Sequence, residues 1–236
     1  MAKAHKPSRD ELLEQTFAAR EAAWARYGTV EADVLTHLIN PMFMGGPHWP
    51  GTRQAYRVVR KGPVVVVASD GLSDPYGEDG PQDRNGVGLE LFAATDDKVD
   101  RPGEDPVRSV GGTWLHDLVF QTAQLAASHG QLGQIVDDLG SMSVEIYDVK
   151  LPESHAARFV NSAERVTVLL TLGALPIPPR IDGPLSSIRL VHLQLLTLDE
   201  CDMVLAKQDA GRAKLCKLLQ KQHVAPLSRL DRPSVV

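Results

Sequence analysis

The apolar positions of the chain fall into blocks of different period. Leu13, Phe17, Trp24 and Tyr27 recur at helical spacing through an alanine-rich stretch whose other face is charged. Ser8-Arg9-Asp10-Glu11 ahead of them reads as a capping box: a hydroxyl accepts an orphan amide and the carboxylate three residues on reaches back. The spacing predicts a helix from Ser8 that stops at Gly28. Residues 40–52 carry three prolines and three glycines, which excludes regular structure and predicts a loop over buried aromatics, Trp49 among them.

From Gln54 the pattern turns β-rich. Ala55 to Arg60 breaks at Lys61-Gly62-Pro63, and Val64 to Val67 follows as an unbroken β-branched run. Two strands joined by a tight turn are expected, the second covered on both faces because it shows no polar alternation. Val87 to Ala93 predicts a further strand. Trp114, Leu115, Leu118, Val119, Ala123, Leu125 and Ala126 form a helical stripe that ends at Gly130. Ser143 to Val149, Arg165 to Leu172 and Ser187 to Leu196 are expected strands. Thr197-Leu198-Asp199-Glu200 is a second capping box, opening a helix toward Ala206, and a last helix is expected over Ala210 to Gln222. Without repeats or long polar linkers, the elements predict one α+β domain, a mixed β-sheet with helices on its faces. Residues 1–29 form its N-terminal helical segment and residues 30–236 its compact body. Val64 to Val67, Leu89 to Phe92 and Leu190 to Leu196 should share one sheet, with the 114–128 helix on one face.

At 236 residues the chain can bury roughly 70–75% of its unfolded surface. Its hydrophobic content of 43% and charged content of 23% are those of a globular protein. A net charge of −5 disfavours nucleic acid as the main partner. The longest apolar run is too short to span a bilayer, and Met1 to Lys6 lead into a charged stretch rather than a signal core, so no membrane partner and a cytoplasmic location are expected. Cys201 and Cys216 suit reduced core thiols. Charge is unevenly placed: residues 70–105 hold eleven Asp or Glu against three Lys or Arg, whereas residues 203–236 hold seven basic against two acidic. The acidic block is either a solvated face or a surface that meets a basic partner.

Catalytic and metal-binding patterns are sparse. His116-Asp117 and His129 are the closest grouping, but His116 and His129 stand about 140° apart around a helix and do not share a face. Ser69 and Ser73 neighbour Asp70 and Asp74 without a nucleophile elbow or a spaced histidine. No metal or organic cofactor is expected. A hydrolase or metal-dependent enzyme built on His116, Asp117 or the Ser73-Asp74 turn is the competing class, and a scaffold without inhibitory role a third. Asp231-Arg232-Pro233 is expected to tuck onto the sheet, with Arg232 in a structural ion pair.

The segment Ser69-Asp70-Gly71-Leu72-Ser73-Asp74-Pro75-Tyr76-Gly77, followed by Asn85-Gly86-Val87-Gly88-Leu89-Glu90-Leu91, resembles the signature of the Suppressor of fused family. There, a strand ends in Gly-Leu-Ser-Asp-x-Tyr, an acidic loop follows, and the next strand opens with two glycines, Glu and Leu. Leu193 to Glu200 and Leu230 to Val235 look like the family's late strand-to-helix passage and its closing segment. Val87 and Leu89 stand where the family usually has aromatics. Animal members carry a second, C-terminal region, and this chain's extent looks like the bacterial single-domain members, many of which lie beside toxin genes. The resemblance implies a non-catalytic domain that sequesters or neutralises a protein partner, such as a basic toxin domain or peptide. In animal members, which hold Gli transcription factors inactive, the tyrosine of this motif and a downstream acidic residue contact the Gli peptide. Tyr76 matches the tyrosine, and either Asp79 or Asp83 would supply the acid in a loop shorter than the family's. With Asp74, whose carboxylate beside Tyr76 could accept donors from a bound peptide, these are the expected partner-binding residues.

Overall fold

The computed structural model describes residues 7–236, so the expectation for Met1 to Lys6 lies outside the described residues. The chain order is α1 (Arg9–Tyr27), β1 (Thr29–Thr36), a 3-10 turn at Pro41–Met44, β2 (Ala55–Lys61), β3 (Val64–Asp70), β4 (Leu89–Thr95), α2 (Trp114–His129), α3 (Leu132–Leu139), β5 (Ser141–Ile146), α4 (Glu153–Phe159), β6 (Val166–Leu172), β7 (Arg180–Asp182), β8 (Ser187–Leu195) and α5 (Leu198–Lys221). The eight strands form one mixed sheet in the order β1-β2-β3-β4-β8-β6-β5, with β7 also paired to β8. Only β4 and β8 run parallel.

The apolar run in β3 is explained by cover on both faces. Val65 and Val67 join Tyr56, Val58, Leu89, Leu91 and Leu193 under Leu115, Leu118, Val119 and Ala123 of α2. Val66 and Ala68 point the other way, with Val59, Phe92 and Leu190, under Ala23, Trp24 and Tyr27 of α1. Trp24 meets Phe92 edge to face with centroids 5.4 Å apart. A third apolar group lies where Leu169 and Leu196 meet Val204, Leu215 and Leu219 of α5. The expected sheet, with the 114–128 helix on one face, is therefore the observed one.

The termini of the elements follow local chemistry. Ser8 and Glu11 close the expected capping box at α1. At α5, Glu200 accepts from the backbone amide of Thr197 at 3.0 Å. Helix α5 breaks at Gln208, whose φ of 48° is non-helical, so the expected pair of helices is present end to end. Gly62, with φ of 58°, turns β2 into β3. Cys201 is buried and Cys216 half-buried, both free thiols.

Several expectations require correction. Strand β5 starts two residues early, at Ser141 rather than Ser143, and ends three early, at Ile146 rather than Val149. The 40–52 loop buries Trp49 but leaves Phe43 exposed, at the outer side of the single turn Pro41–Met44 whose Pro41 and Met42 are half-buried. The buried stripe of α1 is Thr16, Arg20, Ala23, Trp24 and Tyr27, while Leu13 and Phe17 stay half-buried. Phe17 instead carries the guanidinium of Arg57 4.7 Å from its ring centre.

Candidate functional site

Strand β3 ends at Asp70, and residues 71–88 loop out before β4 begins at Leu89. Glu90 of β4 is the template for this turn. Its Oε1 accepts from the amides of Gly71 at 3.1 Å and Ser73 at 2.9 Å and from the Ser73 hydroxyl at 2.6 Å. Its Oε2 accepts from the Ser69 hydroxyl at 2.5 Å. Behind the turn stands Arg20 of α1. Its Nε lies 2.8 Å from Asp70 Oδ1, and its Nη1 lies 2.7 Å from Asp74 Oδ1 and 3.3 Å from Glu90 Oε1. Arg53 and Arg57 add contacts of 2.7 and 2.9 Å to Asp70 Oδ2. Three carboxylates thus meet three guanidinium groups, the balance that burying charge requires.

The protonation tendencies follow this geometry. Burial opposes the charge on Arg20, but Glu90, Asp70 and Asp74 outweigh it and hold the guanidinium above its ordinary value. Burial raises Asp70 as well, yet Arg20, Arg53 and Arg57 together bring it below the usual carboxylate range. Burial wins at Asp74 and Glu90, both held above their ordinary values despite Arg20.

The expected partner-binding residues part company here. Asp74 is only 1% exposed and is committed to Arg20, so its assignment as a contact is corrected: its carboxylate holds the turn from within. Tyr76 is half-buried at the turn's outer end, with Gly80 folded so closely over its ring that a Cβ there would come 2.5 Å from Tyr76 Cβ. Asp79 and Asp83 lie exposed on the same loop.

The acidic block is also less open than its count implies. Asp70, Asp74 and Glu90 are internal, Asp96 pairs with Arg229, Asp100 with Arg60, Glu104 with Arg101 and Asp105 with Arg108. Among the described residues, Glu78, Asp79 and Asp83 remain as the exposed carboxylates of the Tyr76 loop without an ion pair.

The residues named for the enzyme class are structural in their contacts. Ser73 is sealed under Arg20 and Glu90. His116 Nδ1 accepts from the Gly112 amide at 3.3 Å, its ring stacked on Phe120, and Asp117 accepts from the Lys150 amide at 3.1 Å. Among the described residues no group of three His, Cys, Asp or Glu is placed to hold a metal, and no helix is long and apolar enough to cross a membrane. The expected ion pair of Arg232 is present, with Glu200 at 2.5 Å.

Sequence reasoning missed Arg20, Thr16 and Asn85. A signal existed for Arg20: with Thr16, Ala23, Trp24 and Tyr27 it completes one face at spacings of three and four, a cation inside an apolar stripe. Asn85 donates to Thr16 Oγ1 at 2.8 Å and accepts from the Leu185 and Ser186 amides at 2.9 Å each, links between segments too far apart in sequence for any local pattern.

No protein-family model and no curated protein sequence matches the chain. Solved structures do. A chain in a crystal structure of the Sufu–Fu complex is 15% identical with a TM-score of 0.50, the match covering 94% of this chain and 91% of that one. Drosophila Suppressor of Fused is 16% identical with a TM-score of 0.53, over 94% of this chain and 51% of the other. The chain thus spans about half the length of the Drosophila protein. Eight strands in one mixed sheet, helices on both faces and alignment over nearly the whole chain establish that it has the Suppressor of fused fold.

Proposed function

We propose that the chain is a non-catalytic protein-binding domain that sequesters or neutralises a protein partner through the surface around Tyr76, with Asp79 and Asp83 beside it. One observation carries this reading. A half-buried tyrosine sits at the end of a turn fixed by a buried charge network, next to three exposed carboxylates that form no ion pair among the described residues. A pre-organised aromatic anchor flanked by free charge suits recognition of a basic protein surface. One of the matched structures is itself a complex of Sufu with Fu, which supports a protein as the partner. Within this reading a toxin-immunity role in a bacterial cytoplasm is the proposed setting.

The carboxylates that burial holds above their ordinary values, Asp74 and Glu90, are 1% and 0% exposed, so no substrate reaches them. For the hydrolase class one observation stands: Ser154 Oγ, His155 Nδ1, His155 Nε2 and Asp231 Oδ1 form a chain at 2.9 and 2.8 Å. The Asp231 side chain is 92% exposed, however, and water screens the charge that would have to orient and stabilise a catalytic imidazole.

Capture of the partner from the source cell, followed by association and dissociation kinetics with Tyr76→Ala, tests the proposal. Truncation should cost on the order of 2 kcal/mol of binding, seen mainly as faster dissociation. Unchanged kinetics would remove this surface from the mechanism. A Ser154-dependent esterase activity would favour the hydrolase instead.

A further inference from the structure

The Tyr76 loop is held from α1 as well as by Glu90 of the sheet. Arg9 Nε donates to the Tyr76 carbonyl at 3.3 Å. Thr16 Oγ1 accepts from Asn85 Nδ2 at 2.8 Å, and Arg20 Nη1 donates to Ser73 Oγ at 2.9 Å and Asp74 Oδ1 at 2.7 Å. Positions 9, 16 and 20 are separated by seven and four residues, so they share one face of α1. Ser73, Asp74 and Tyr76 belong to the outgoing arm of the loop and Asn85 to the returning arm. Between them, Gly80 N and Gln82 Nε2 bond only within the loop, to the carbonyls of Gly77 and Gly80.

We propose that α1 is the clamp of the Tyr76 loop, with Arg9, Thr16 and Arg20 as its positioning residues, so that docking of this helix and formation of the loop surface are one equilibrium.

The charges make the coupling compulsory. Asp70 has Arg53 and Arg57 as further cations, but Arg20 is the one ion-pair partner of Asp74 and Glu90 among the described residues. If α1 lifts, both carboxylates lose their cation inside a low-dielectric site, a state that buried charge does not tolerate. They must then be hydrated by opening of the loop or be neutralised by protons, and either change ends the charged contacts that fix the turn. Anything that displaces α1 therefore dissolves the turn, and anything that binds the closed loop holds α1 down to the same extent. That Tyr76 is the contact being presented rests on the proposed function; the clamp does not.

Native-state amide hydrogen exchange on the full chain tests the clamp without a partner. In Thr16→Val, which keeps the shape of the side chain, exchange across residues 73–87 should rise about tenfold through local opening, while β2 and β3 stay far better protected than the loop and the melting temperature falls by only a few degrees. Arg9→Ala should act at residues 76–80 alone. Arg20→Lys keeps the charge but cannot span three acceptors, and should loosen α1 and residues 73–87 together, with the rest of β2 and β3 still protected. Exchange in 73–87 that is unchanged in all three variants, or that proceeds only through global unfolding at the rate of β2 and β3, would overturn the proposal. Loosened exchange combined with partner kinetics indifferent to Tyr76→Ala would leave the clamp standing and remove the binding reading.

Discussion

Arg232 grips Glu200 with both arms of its guanidinium: Nη1 lies 2.6 Å from Oε1 and Nη2 2.5 Å from Oε2. Both side chains are buried, and the same carboxylate accepts from the amides of Thr197 at 3.0 Å and Val235 at 3.1 Å. One pair therefore fastens residues 232–235 to the first turn of α5. Arg232→Met would strand a buried carboxylate and is expected to lower unfolding free energy by about 3–5 kcal/mol in urea titrations. Adding Glu200→Gln should recover most of that loss. A single variant as stable as the wild type would show that the pair contributes nothing.

His192 sets an acid limit on the fold. Fully buried, with Nε2 2.8 Å from the Pro226 carbonyl, it is pushed by burial from the usual 6.5 down to about 4. A carbonyl only accepts, so Nε2 carries the donated proton, and burial keeps the ring neutral in the native form. The unfolded chain takes up the proton below about pH 6.5 and the folded chain only near 4, so this contribution is present above 6.5 and lost as pH falls between those values. It amounts to about 3 kcal/mol. His192→Gln should flatten that part of the stability-pH curve relative to wild type, whatever its effect at neutral pH. Equal slopes for the two proteins would refute the assignment.

How much of this was legible in the sequence depends on the range of each signal. The β2–β3 hairpin, the covered run Val64 to Val67, α2 and both capping boxes follow from residues within a few positions of one another. Strand β1 was not legible because it is an edge strand with an irregular exposure pattern and a register shift between Val30 and Val34. Helices α3 and α4 have only eight and seven residues, too few to establish a period. The Tyr76 turn was visible as a motif, but its support was not. Arg20 lies 54 residues from Asp74, and Arg229 lies 133 from Asp96, so the acidic block looked open although five of its eleven acids are paired by distant arginines.

Gly86 is the steric hinge of the same loop. Its φ is +48°, and a Cβ would meet the Leu72 carbonyl oxygen at 2.2 Å and the Asp74 carbonyl oxygen at 2.8 Å. Neither backbone atom can yield without dismantling the turn. Gly86→Ala should therefore cost about 2–4 kcal/mol of stability, from left-handed strain together with the clash. Gly45→Ala is the control: with φ of +84° and nothing within 4 Å, it bears the conformational cost alone, about 1 kcal/mol. Equal losses in calorimetry would mean that the loop relaxes around the new methyl group.

The separation of Asp74 from Asp79 and Asp83 gives the sharpest contrast between holding a surface and being one. Asp79 and Asp83 are exposed and unpaired, so Asp79→Asn with Asp83→Asn should leave stability within about 0.5 kcal/mol of wild type. What the double change removes is long-range attraction for a basic partner, which acts on the encounter rate. Association with the captured partner should slow several-fold at low ionic strength, with dissociation nearly unchanged. Because exposed charges are screened within about 10 Å at 0.1 M salt, the deficit should shrink as salt rises and vanish near 1 M. Asp74→Asn should behave in the opposite way: with Arg20 left facing a neutral amide in place of the carboxylate at 2.7 Å inside the fold, the loss appears in stability and in loop exchange before it appears in the encounter rate. Association that ignores Asp79 and Asp83 at every salt concentration would place the partner elsewhere on the molecule.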